Sequence, residues 1–125
     1  MRQSILFLAL FCSIQINGQE ELLRALDSGN GDLIGQMFGE QVEISIFDQE
    51  QSLPKANAIA MTKNFFNAHQ IDRFSKMHEV ASKDKRSLCL IGKLVSRDRQ
   101  FKIFINYQKS GEEIHIHEMR IEKEE

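Results

Sequence analysis

The sequence predicts an α+β domain in which helices gather early, strands gather late, and an antiparallel sheet is covered on one face. Three observations carry this. Apolar residues recur at helical spacing in the first half of the chain, near-strict alternation of apolar and polar positions fills much of the second half, and 125 residues make about one domain. With 42% hydrophobic and 27% charged residues and a single Pro, the chain is neither disordered nor collagen-like. Its formal charge of −2 speaks against a strongly basic nucleic-acid binder and leaves room only for a local basic patch.

The chain begins with Met1-Arg2-Gln3, a short positive end, followed by an apolar run from Ile5 to Phe11. Ser13 to Gly18 turns polar and ends on a small residue. This layout predicts a secretory signal peptide over residues 1–18, cleaved near Gly18, and a single domain over 19–125. The run is about half of the roughly 20 residues that spanning a bilayer requires, so no stable membrane insertion is expected. Phe11 is too bulky to precede a lipidated Cys12. Export to the periplasm or the medium would leave a mature chain with a net charge of −3 and one cysteine, Cys89, read as a small core hydrophobe between Leu88 and Leu90.

Glu20-Glu21 opens a first helix carrying Leu22, Leu23 and Leu26, and Ser28-Gly29 closes it. Asn30 or Asp32 caps a second, whose apolar face is Leu33, Ile34, Met37 and Phe38, with Gly39 as its stop. Val42, Ile44 and Ile46 alternate with polar residues as a strand, and Asp48 to Ser52 reads as a polar turn. Pro54 starts the longest helix, which runs to about His69 and buries Ala58, Ile59, Met61, Phe65, Phe66 and Ala68.

Four strands follow. Arg73 to Val80 is the weakest pattern. Ser87 to Val95 puts Leu88, Leu90 and Leu94 on one side and Cys89, Ile91 and Val95 on the other. Phe101, Ile103, Ile105 and Tyr107 share one face of the next strand, Lys109-Ser110-Gly111 turns the chain, and Glu113 to Ile121 completes the sheet. In that last strand Ile114 and Ile116 are even while Met119 and Ile121 are odd. The change of parity predicts a β-bulge near His117-Glu118, which would bend the sheet, in preference to a strand buried on both faces.

Several short stretches carry a family resemblance: Ala25-Leu26 with Ser28-Gly29-Asn30, Phe38, Val42-Glu43-Ile44, Phe65-Phe66, His78, Ile91-Gly92 with Leu94, and the run from Ile116 to Glu122. They resemble domain of unknown function 4783, a bacterial exported family within the nuclear transport factor 2-like superfamily. The resemblance implies a cone-shaped, cystatin-like fold, with three N-terminal helices packed on a bent, mostly antiparallel sheet around a pocket. It implies no activity.

Candidate chemistry is sparse. Glu113, His115 and His117 fall at spacing two, so one strand face would present them together, yet a closed zinc site takes four ligands and no partner motif is present. Proton-transfer enzymes on this cone, such as ketosteroid isomerases and scytalone dehydratase, place a carboxylate or histidine inside the pocket; the residues here that could do so are Asp48, His69, Asp72, His78 and Tyr107. Asp48 and Asp72 read as solvated turn residues and His78 as a structural histidine. Basic residues gather at Lys83, Lys85, Arg86, Lys93, Arg97, Arg99 and Lys102, diluted by Asp84 and Asp98, and read as a solvated hairpin rim.

The sequence therefore leads us to expect an exported, non-enzymatic domain with no catalytic, metal or cofactor-binding residues, whose cone holds a small apolar ligand or is filled by its own side chains. The alternatives are a small-molecule lyase or isomerase using a histidine or aspartate in the cavity, and a homodimer formed through the sheet face bearing Ile91, Val95 and Phe104.

Overall fold

A computed structural model of the chain describes residues 17–97 and 99–124; the signal segment expected over 1–18 lies almost wholly outside the described residues. Helix α1 spans Gly18–Ser28, α2 Gly31–Gln36 and α3 Lys55–Ala68. The strands are β1 (Phe38–Ile46), β2 (Gln49–Pro54), β3 (Ile71–Ala81), β4 (Ser87–Ser96), β5 (Gln100–Ser110) and β6 (Glu113–Glu124). They form one six-stranded sheet in the order β2-β1-β6-β5-β4-β3. All neighbours are antiparallel except β1 and β6.

Local signals place the first helices. The Asn17 side chain accepts the Glu20 N–H at 2.9 Å, Gly29 takes φ 65° to end α1, and Asn30 rather than Asp32 caps α2 by accepting the Leu33 N–H. Pro54 precedes α3 at φ −60°.

Three expectations need correction. Helix α2 stops at Gln36, and Phe38 opens β1 instead of completing a helix face. Asp48 to Ser52 is not a turn: only Phe47 and Asp48 turn the chain, and Gln49–Pro54 pairs with β1. β2 escapes the pattern because it is an edge strand exposed at nearly every position, so burial imposes no alternation on its sequence. The three helices also do not all precede the sheet, since α3 follows the β1–β2 hairpin.

The bulge lies where the parity changes. Asn106 pairs with Glu118 and Tyr107 with Ile116, leaving His117 as the extra residue, and β1 is irregular opposite the same point. The bulge keeps Ile114, Ile116, Met119 and Ile121 all buried on the inner face. With Leu90, Leu94, Phe101, Ile103, Ile105 and Tyr107 they form the floor on which Leu22, Ala25, Leu26, Ile34, Ala58, Phe65 and Phe66 pack.

Candidate functional site

Two places combine exposed or half-exposed apolar surface with defined geometry. The first is the end of the sheet where the β1–β2 turn, the C-terminus of α3 and the β4–β5 turn meet. Phe47 occupies the two-residue β1–β2 turn at φ 59°, a left-handed conformation that costs a bulky residue about 1–3 kcal/mol. Contacts between rings offset that cost. The Phe47 ring centroid lies 6.1 Å from Phe65, 6.2 Å from His69 and 5.9 Å from Phe101, and the Phe47 N–H donates to the Ile121 carbonyl at 2.8 Å. Phe65, His69 and Phe101 also touch one another with centroids 4.8–5.2 Å apart. The Lys123 ammonium stands 4.8 Å from the Phe47 centroid. A groove of about 450 Å³ opens beside this cluster, walled by Ile46, Phe47, Met61 and Phe65, with Asn64 and Asp48 at its rim.

The second place is the outer face of the sheet. Ile91 and Phe104 are direct cross-strand partners there, Cys89 lies beside Asn106, and Val95 stands farther along β4, all half-buried. Arg120 and Lys102 approach the Phe104 ring at 4.8 and 5.3 Å. Val80, opposite Cys89 on the edge strand, is 60% exposed. Charge divides across this face. Arg73, Lys93 and Lys102 lie on the β3–β5 half, while Glu43, Glu50, Glu118 and Glu122 surround Arg120 on the other. Cys89 is thus no core hydrophobe. Its odd parity turns it outward, where burial first, and then Glu118, push its thiol pKa up.

The titratable candidates do not converge. Asp48, Asp72 and His78 are exposed, His78 on the outer side of edge strand β3 opposite Ile91. His69 is half-buried among rings as the C-cap of α3, its N–H donating to the Phe65 carbonyl at 3.0 Å. Tyr107 is buried and points inward, but its hydroxyl accepts from the Gln19 amide at 3.0 Å, and Gln19 in turn accepts from Lys109. Desolvation raises the Tyr107 pKa against the opposing Gln19 hydrogen bond. Glu113 and His115 sit 3.7 Å apart with exposed side chains, and His117 is the exposed bulge residue. Among the described residues no three His, Cys, Asp or Glu side chains are grouped to hold a metal ion.

The basic run also disperses. Lys83, Lys85 and Arg86 belong to the β3–β4 turn, Arg97 and Arg99 to the opposite end, and Lys93 pairs with Glu124 at 3.2 Å. Asp84 accepts from the Ser82 hydroxyl and the Arg86 N–H, which hold its carboxyl below the usual range. Phe47 was missed by sequence reasoning. Its one signal is that it prolongs the apolar side of Ile46 into a turn, where polar residues or glycine are the norm.

A family model for a domain of unknown function, DUF4783, matches residues 19–122. Among solved structures, the chain is similar to a DUF4783 family protein from Bacteroides uniformis ATCC 8492 at TM-score 0.78 and 24% identity, covering 87% of this chain and 99% of that one. A DUF4783 family protein from Bacteroides ovatus ATCC 8483 aligns at TM-score 0.76 and 22% identity over 84% and 94% of the two chains. Nuclear transport factor 2 from Cryptosporidium parvum aligns at TM-score 0.58 and 18% identity over 90% and 100%. These likenesses show a shared nuclear transport factor 2-like fold. No curated protein matches the chain.

Proposed function

The chain belongs to the DUF4783 family, a domain of unknown function, and from that premise we propose that it works as a non-catalytic exported domain whose working surface is the outer face of its sheet, where a second copy packs. The observation that carries this reading is the half-buried apolar patch of Ile91, Val95 and Phe104 on β4 and β5, set beside an acidic half of the same face. A two-fold axis along the β5–β6 boundary would lay the β3–β5 half of one copy, which carries Ile91, Val95, Phe104 and the basic residues, over the acidic β6–β2 half of the other, with Phe104 of each copy nearest the axis. Support for a non-catalytic role comes from the interior: Phe38, Phe101 and Tyr107 fill it with at most 2% exposure, and the one inward phenol is already bonded. A general acid or base needs reach to a bound substrate, and neither Asp48, Asp72 nor His78 faces inward.

Sedimentation equilibrium at micromolar concentration is expected to give a dimer, with Phe104→Glu monomeric and unchanged in far-ultraviolet circular dichroism. A monomeric native chain would overturn the reading. Salt should weaken the dimer, because part of the attraction comes from exposed charges.

Export follows the same proposal, with cleavage near Gly18. A cut there removes the Asn17 cap and the Gly18 N–H bond to the Glu112 carbonyl, but leaves Leu22, Ala25 and Leu26 buried and Gln19 bonded to Tyr107. Mass analysis of the exported protein is expected to find a first residue near Gln19. Retention of Met1 would overturn this.

A further inference from the structure

We propose that the aromatic end of the sheet is a binding site for a small, uncharged aromatic ring, and that the Phe47 side chain is the plug such a ring displaces. The parts of the site differ in how they are held. Phe65 stands on α3, His69 at its C-cap and Phe101 on β5, so their positions are set by packed elements. Phe47 stands on a two-residue turn, half-exposed, in a left-handed conformation that favours glycine. Its ring can turn away while its N–H keeps the bond to Ile121.

The occupant's chemistry follows from the present one. What Phe65, His69 and Phe101 now accept is a phenyl ring, met at centroid distances of 5.9–6.2 Å. A ring entering from the groove along Met61 would inherit those contacts and lie beneath Lys123, which favours an electron-rich ring. Asn64 lines the groove, and its amide is able to accept from a single N–H donor. Indole has this chemistry. Phe47 and Lys123 also border the outer-face residues Glu50, Arg120 and Glu122, so indole titration is run on Phe104→Glu as well as on the native chain, and binding is expected in both.

The test is a fluorescence titration of the full chain with indole. The chain contains no tryptophan, so the probe's own emission reports its surroundings. A plug that competes with ligand lowers the apparent affinity by the fraction of molecules in which it has swung out. Phe47→Gly removes the ring and suits the turn, and it is expected to bind indole about tenfold or more tighter than the native chain, with blue-shifted emission. Equal affinity in the two proteins, or saturation of neither, would overturn the proposal. Should Phe47→Gly not fold, the methyl resonance of Met61 is followed in the native chain during the same titration. A saturable shift supports the site, and no shift overturns it.

Discussion

Phe65→Ala and Phe66→Ala are each expected to destabilise the domain by about 3–5 kcal/mol, the usual range for removing a buried phenylalanine ring. Both lie on the buried face of α3, at 5% and 7% exposure. Phe65 meets Phe66 edge-on at 5.1 Å and Phe101 at 5.2 Å, so its loss also unseats rings on a different element. A domain of this size has about 5–15 kcal/mol of total stability, and either substitution removes a large share of it. Urea denaturation measures the effect. A loss below about 1 kcal/mol at both positions would mean that the face of α3 is misassigned.

Gly92→Ala is the second large effect, and it arises from space and not from lost contact. Gly92 is buried on the inner side of β4, where the ring of Phe74 from β3 lies across it. A Cβ at position 92 would come within 2.4 Å of Phe74 Cε1 and 2.6 Å of the Ser75 carbonyl oxygen. The ring could swing aside, but the carbonyl belongs to the backbone of the neighbouring strand. The β3–β4 ladder would have to part locally, and overpacking of this kind costs about 1–3 kcal/mol. The urea midpoint should fall accordingly. Pairing Gly92→Ala with Phe74→Ala should recover only part of the loss, since the Ser75 clash remains. An unchanged midpoint in the single variant would show that β3 is loosely held.

The legible parts of this fold are those where burial imposes a period on the sequence. Leu88, Leu90 and Leu94, then Phe101, Ile103, Ile105 and Tyr107, announce their strands because one face must meet the core. The parity change between Ile116 and Met119 announces the bulge for the same reason. Caps are legible too, since Asn30 and Gly29 are chosen by local hydrogen bonding and local φ. β2 is not legible, because an exposed edge strand is held by backbone bonds to β1 that any side chain permits. Phe38 reads as helix because its apolar neighbours lie at helical spacing, and only its pairing with Ile116 draws it into β1.

The candidate sites divide in the same way. That Ile91, Val95 and Phe104 share the outer face follows from alternation within two strands. That basic and acidic residues occupy opposite halves of that face depends on strand order, in which parallel pairing sets β1 beside β6 and leaves β3 and β2 as the two edges. His78 reads as a structural histidine, yet a bulge in β3 at Met77 and pairing with Ile91 set it exposed on the outer face.

By itself, then, the sequence determined the buried faces of β4, β5 and β6, the glycine that ends α1, the bulge in β6 and the family resemblance. Each rests on interactions between residues close along the chain, or on a periodicity that burial enforces. Only the tertiary structure decided that Phe47, Phe65, His69 and Phe101 meet, and that acidic and basic residues of the outer face occupy different strands. Those outcomes depend on contacts between residues as far apart as 47 and 101, which strand order and register create and no local pattern encodes.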